Sequence, residues 1–274
     1  MSRIFRITVS HSILICGVLL MIVPLWLVFA SSTHSNSFIY NEGMQWKIGG
    51  EFFENYDRVL NRKGGFTKEI TASGIFYNSF IMAFGIASLS VFVSMMAAYS
   101  LVYFKTRFST LFFWLIFITL LVPLELRILP SYQIVSDLNL LNSYAGLILP
   151  LSASAIATFF FRQYYRSIPE ELLEAAKLDG ANSWKFFIDF LVPLSKTMVA
   201  AMFIFMFVYG YNQYLWPLIM TTSEKYWTVV MGLKMIYGGN SVDRYTYVIL
   251  SLIPPVIIIV FLQRLFIQGL FQSK

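Results

Sequence analysis

Six apolar runs organise the chain, at residues 12–30, 80–104, 110–124, 144–161, 197–220 and 247–262. Each meets or approaches the roughly 20 residues an α-helix needs to cross the hydrocarbon core of a bilayer. The pattern predicts an all-α, polytopic membrane protein with six transmembrane helices, organised as a single domain over residues 1–274. The third and sixth runs are short and carry prolines, Pro123 and the pair Pro254–Pro255. Membrane helices tolerate these because neighbouring helices satisfy the freed carbonyls. Gly85, Ala87, Ser88, Ser94, Ala97 and Ala98 in the second run, and Ser152, Ala153, Ser154, Ala155 and Ala157 in the fourth, predict an interior surface where helices pack closely.

The polar stretches between these runs are uneven. Residues 31–79 read as a mixed segment with turns at Asn41-Glu-Gly and Arg62-Lys-Gly-Gly. In the 125–143 connection, Leu138, Leu140 and Leu141 beside Asn and Asp suggest a short helix at the interface. The 162–196 connection is far longer than the roughly 2–8 residues that joining two helices requires. Ser167-Ile-Pro-Glu170 matches a capping box, with Ser167 as N-cap, Pro169 in the first turn and Glu170 reaching back; Ile168 would pack on Leu172. The helix through Leu172, Leu173, Ala175, Ala176 and Leu178 would stop at a left-handed Gly180. Asn182 or Ser183 would cap a second helix carrying Trp184, Phe187, Ile188 and Leu191, ended by Pro193. The expectation is a helix-turn-helix knob with a small-residue stripe, charged by Glu174, Lys177, Asp179 and Lys185. Such residues are poor candidates for burial against membrane helices and good ones for docking a partner from water.

Composition fits this setting. The chain is 58% hydrophobic and 12% charged, with mean hydropathy +0.68, whereas soluble domains carry about 25% charge. The net charge of +6 reflects membrane orientation rather than nucleic-acid binding. With the N-terminus inside, the inner segments hold Arg3, Arg6, Lys105, Arg107, Arg162, Arg166, Lys177, Lys185, Lys196, Arg264 and Lys274. That is eleven of the 20 basic residues in about 63 residues, against nine in about 94 outside, which predicts that both termini and the knob are cytoplasmic. Arg3 and Arg6 precede an apolar core longer than a signal peptide's roughly 7–15 residues, so a retained anchor is expected.

Candidate chemistry is sparse. Cys16 stands alone, His11 and His34 are far apart, and neither a zinc-protease motif nor a Ser/His/Asp grouping occurs. No metal site and no catalytic residue is assigned. No phosphate-binding loop of the G-x-x-x-x-G-K-[ST] type occurs, and every Asp and Glu falls outside the apolar runs, with Glu125 at the outer edge of the third. Energy for any transport would therefore enter through a partner. Glu125 and Arg127 would form either an ion pair at the headgroups or a cation that attracts an anionic solute. Tyr211, Asn212 and Gln213 place polar groups late in the fifth run, for interhelical hydrogen bonds or for solute. Trp216 and Trp227 read as interfacial anchors.

Glu174-Ala175-Ala176, Asp179-Gly180-Ala181, Trp184, Phe187 and Pro193-Leu194 resemble, with matching gaps, the EAA loop of permease subunits from bacterial ABC importers. Asn55-Tyr56, Asn78-Ser79 and Asn212-Gln-Tyr-Leu-Trp-Pro217 resemble the carbohydrate-uptake branch of that family. Val122-Pro-Leu-Glu-Leu-Arg-Ile-Leu-Pro130, Asn142-Ser-Tyr-Ala-Gly-Leu-Ile-Leu-Pro150 and Phe160-Phe-Arg-Gln163 bring the chain nearest to its sn-glycerol-3-phosphate permeases. The resemblance implies an inner-membrane permease working by alternating access, with sn-glycerol 3-phosphate as solute and a sugar or oligosaccharide as the alternative. It implies a second homologous permease, two cytoplasmic ATPase subunits that bind ATP and Mg, and an external solute-binding protein, with membrane lipid around the bundle and no cofactor in this chain. Glu174, Ala175, Ala176, Asp179, Gly180 and Ala181 would be the coupling residues. Glu125, Arg127, Tyr211, Asn212 and Gln213 are candidates for the solute path.

Overall fold

The computed structural model describes residues 3–61, 70–104, 106–235 and 240–271, and these are helical with no strand among them. In chain order the helices are α1 (Arg3–Ser31), α2 (Asn36–Glu42), α3 (Phe52–Asn61), α4 (Ala72–Tyr103), α5 (Ser109–Ile118), α6 (Leu124–Asp137), α7 (Tyr144–Ile148), α8 (Ala155–Arg166), α9 (Glu170–Leu178), α10 (Ser183–Leu194), α11 (Lys196–Tyr211), α12 (Leu215–Met220), α13 (Val229–Met235) and α14 (Ser241–Phe271). Three are long and apolar enough to span a bilayer, at Ile7–Ser31, Ala72–Tyr103 and Ser241–Leu265. Three bent pairs supply the rest if each is one span: Ser109–Leu121 with Glu125–Asp137 at 106°, Tyr144–Leu151 with Ala155–Arg166 at 47°, and Ser183–Leu194 with Lys196–Tyr211 at 76°.

The chain forms two compact units. The first comprises Met1–Phe76 and Met231–Ile253. Its α1 is almost wholly exposed along an apolar surface, as lipid contact requires, and carries Pro24 without interruption. The segment after α1 is held by polar staples beside the buried Ile39 and Val59. Asn55 Nδ2 donates to the carbonyls of Ser32 and His34 at 3.0 and 2.9 Å, and the Tyr56 hydroxyl meets that of Ser32 at 3.0 Å. Burial raises the Tyr56 pKa above its ordinary value, partly offset by that bond. Arg58 bonds Asn55 and forms the ion pair with Asp243 at 2.8 Å. Asn55-Tyr56 thus anchors this segment from within. Gly43, at φ 74°, supplies the expected turn after α2; the Arg62-Lys-Gly-Gly turn lies outside the described residues.

The second unit comprises Tyr77–Val230 and Pro254–Lys274. Its axis is α4, where Ala83, Ala87, Ser90, Ser94 and Ala98 are buried at close to helical spacing. The small surface allows close approach: a methyl group added to Gly210 of α11 would lie only 3.1 Å from the Ala83 Cα. It also satisfies interrupted backbone. The Ser90 hydroxyl donates to the Leu151 carbonyl and the Ser94 hydroxyl to the Ser154 carbonyl, at 3.3 and 3.1 Å, at the break between α7 and α8. Without those donors, carbonyls exposed by the bend would be unpaired in an apolar medium, at a cost of several kcal/mol in hydrocarbon.

The helices differ from the expected runs in informative ways. The third apolar run ends in a sharp break at Pro123, and a separate helix, α6, fills the first part of the 125–143 connection, ahead of the leucines where a short interfacial helix was expected. The leucines 138–141 lie after α6, not in a helix, because Asn139 and Asn142 adopt left-handed φ of 56° and 54° and reverse the chain. The fifth run is divided at Asn212, leaving α12 separate, and the sixth lies inside the longer α14. The motif asparagines are staples here too. Asn78 Nδ2 donates to the carbonyls of Lys225 and Trp227 at 2.8 and 3.0 Å while the Tyr144 hydroxyl donates to its Oδ1. Ser79 accepts from the Val229 N–H at 2.6 Å, and Asn142 Oδ1 from the N–H groups of Thr222 and Ser223.

Candidate functional site

The 162–196 segment folds as a knob. Helix α9 ends in a Schellman motif: Ala181 N–H donates to the Ala176 carbonyl and Gly180 N–H to that of Lys177, with Gly180 at φ 74°. Asn182, rather than Ser183, caps α10 by accepting from the Lys185 N–H at 2.8 Å. The capping box at the start of α9 does not form. Ser167 ends α8, its hydroxyl donating to the Tyr164 carbonyl, and Pro169 occupies the N-cap with no side-chain bond. Nor does Pro193 end α10. The helix widens to a π-helix over Phe186–Leu191 and carries Pro193 into its last turn, with the bend at Ser195. The widening accommodates a residue that has no N–H to donate.

One face of the knob is packed. Ala176, Phe186, Phe187 and Leu191 are buried with Tyr99 of α4 and with Phe161 and Tyr165 of α8, flanked by Ile168, Leu173 and Ala181. Ile168 and Leu173, not Leu172, are therefore the inward apolar residues at the start of α9. Each large buried side chain contributes about 1.5–3 kcal/mol where the alternative is water. Hydrogen bonds fix the orientation: the Tyr99 hydroxyl donates to the Ser183 carbonyl at 2.8 Å and the Tyr164 hydroxyl to the Leu194 carbonyl at 2.7 Å. The opposite face is largely exposed, with Trp184 stacked on Phe187 at its edge. Glu174, Ala175, Lys177, Asp179 and Gly180 are exposed, beside Leu178 at 89% exposure and Trp184 at 54%. Exposed apolar groups rimmed by charge are the ordinary signature of a protein contact. Of the six sequence-predicted coupling residues, Ala176 and Ala181 pack inward while Glu174, Ala175, Asp179 and Gly180 face solvent.

A cavity of about 310 Å³ lies in the same unit, where three helix interruptions meet. Thr119, Val122 and Pro123 line it from the α5–α6 break, Pro150, Ser154 and Ala155 from the α7–α8 break, and Trp216 from α12. Arg127 and Ser131 of α6 and Tyr209 of α11 complete its polar wall. Interrupted backbone at membrane depth is tolerated where it lines such a cavity. Of the expected solute-path residues, only Arg127 lines it. Glu125 is exposed beside it and makes no ion pair with Arg127, since residues two apart on a helix do not face each other. Tyr211 is buried against Phe207 at 5.9 Å between ring centroids. Asn212 caps the end of α11, and Gln213 donates to the Tyr209 carbonyl at 3.3 Å. Trp216 is an interior residue and not an interfacial anchor: it is 1% exposed and donates from Nε1 to the Leu147 carbonyl. Ser131 and Tyr209 escaped the sequence reading, and Ser154 was read only as a packing residue, because only the breaks bring them together.

Among the described residues no cluster of His, Cys, Asp or Glu could hold a metal ion. The profile of the family described as "Binding-protein-dependent transport system inner membrane component" matches residues 90–272. The chain is 43% identical over 270 residues to the sn-glycerol-3-phosphate transport system permease protein UgpE of Yersinia pestis, covering 96% of this chain and 95% of that one. It is 42% identical over 270 residues to the same protein of Escherichia coli K12, covering 97% and 96%. A solved structure, of a bacterial ABC transporter involved in the import of the acidic polysaccharide alginate, shares the fold with a TM-score of 0.79 at 21% identity, over 96% of this chain and 98% of that one.

Proposed function

We propose that this chain, which belongs to the family of inner membrane components of binding-protein-dependent transport systems, carries sn-glycerol 3-phosphate through the membrane by alternating access. The solute is that named for relatives aligned over nearly the whole chain. A knob braced on one face and bare on the other is the observation that carries the reading of an energy-coupled permease. Glu174, Ala175, Asp179 and Gly180 present the docking face to a cytoplasmic ATPase, and Ala176 and Ala181 hold that face to the bundle. ATP and Mg are bound by two such ATPase subunits. A second, similar permease completes the pore, and an external binding protein delivers solute. The chain itself performs no covalent chemistry.

The deciding experiment is to co-purify the complex and measure which solute stimulates its ATP hydrolysis and uptake. Stimulation by sn-glycerol 3-phosphate supports the reading; stimulation only by a neutral sugar replaces the solute, and absence of any ATPase partner removes the energy-coupled function. Topology is tested separately. With both termini cytoplasmic, Arg107 is inside and Lys225 outside. In a Cys16→Ser background, a membrane-impermeant thiol reagent is expected to label Lys225→Cys and not Arg107→Cys in intact cells; the reverse pattern inverts the assignment.

A further inference from the structure

We propose that the cavity at the three helix breaks is the site where the phosphate of the solute is held within the membrane path, with Arg127 as its cationic anchor and Ser131, Ser154 and Tyr209 as neutral partners. This rests on the reading of the chain as a phosphomonoester permease and names the site that recognises the charge.

Three observations converge on it. Arg127 makes no hydrogen bond or ion pair among the described residues, although it lines a cavity. Arg127 is also exposed, so its guanidinium is accessible to an anion entering the cavity. No Asp or Glu lines the cavity, and Arg127 is the charged group on its wall, with Glu125 exposed beside it. The lining is otherwise built for a small polar molecule. Hydroxyls stand at Thr119, Ser131, Ser154 and Tyr209, while Trp216 supplies an apolar wall. A volume of about 310 Å³ has room for a three-carbon phosphomonoester. Guanidinium is also the cation suited to phosphate, because its fork can donate two parallel hydrogen bonds.

Arg127 and Ser131 are one turn apart on α6 and both line the cavity, which permits a relocation test. The assembled transporter, with its binding protein, is reconstituted in proteoliposomes, and sn-glycerol 3-phosphate moved per ATP hydrolysed is measured. Arg127→Gln is expected to lower this ratio by about ten- to a hundredfold, the loss of one charge-assisted contact. Arg127→Lys keeps the charge without the fork and falls between. The double variant Arg127→Ser, Ser131→Arg returns the cation to the cavity from the next turn and is expected to recover at least a third of the ratio. An unchanged ratio in Arg127→Gln overturns the site while leaving the permease reading intact. A loss that neither Lys nor the relocated Arg relieves makes Arg127 a structural residue and also overturns it. Failure of the unmutated complex to move sn-glycerol 3-phosphate while it moves a neutral sugar removes the parent reading and this site with it.

Discussion

Tryptophan at position 175 is expected to abolish uptake while the permease still inserts at normal levels. Ala175 is exposed on the bare face of α9, so a large side chain there meets water in the isolated subunit and costs the fold little. In the proposed complex the same side chain stands where an ATPase surface must approach the helix backbone. The neighbouring residue is the control. Ala176 is 1% exposed and packed with Phe186, Phe187 and Leu191, so Ala176→Trp is expected to destroy the knob and lower the amount of folded protein. Uptake, membrane abundance and recovery of the ATPase on purification separate the two. Ala175→Trp should lose uptake and partner with normal abundance, and normal uptake in that variant eliminates docking through this face.

Alanine at position 146 is expected to cost the assembled fold about 3 kcal/mol, at the upper end for overpacking. A Cβ on Gly146 would overlap the carbonyl oxygen of Leu140 and press on Val135. Backbone cannot step aside as a side-chain end can, and this stretch is pinned from several directions. The Leu140 N–H donates to the Val135 carbonyl, the Ser143 hydroxyl donates to the Leu140 carbonyl at 2.6 Å, and Asn139 and Asn142 hold left-handed conformations on either side. Thermal unfolding of the purified protein in detergent should show a clear fall in midpoint for Gly146→Ala. The same change at Gly17, where nothing lies within 4 Å of an added Cβ, should leave it unmoved. An unaltered midpoint for Gly146→Ala would show that the α6–α7 reversal yields.

The segments capable of crossing a bilayer were legible because twenty apolar residues in a row have few other solutions. The turn inside the knob was legible too, since Gly180 and Asn182 act through backbone geometry set within a few residues, whereas Pro193 does not stop α10 as expected. The breaks were not. Pro123 and Pro150 each fit an uninterrupted tilted helix as well as a bent one, and what decides the second case is Ser90 and Ser94, distant residues that take the freed carbonyls. Ser167 misled for a different reason: one serine between two helices can cap the second or end the first, and local sequence weighs both alike. Glu125 and Arg127 looked like an ion pair from their closeness in sequence; on a helix, their spacing of two separates them. The cavity residues around Tyr209 stayed hidden for a related cause, since no local pattern records that three interrupted helices meet.

Ser195 alone separates α10 from α11, and its N–H and hydroxyl both bond the Leu191 carbonyl. A flexible tether several residues long would absorb a push at one end by changing its own shape before moving the other. A single pinned residue has almost no slack to take up. Travel delivered to the exposed face of α9 and α10 would thus reach α11, which carries Tyr209, with little lost on the way. In the proposed complex the elbow would act as a bell crank, turning a stroke at the water-facing surface into one directed along a second axis at 76° to the first.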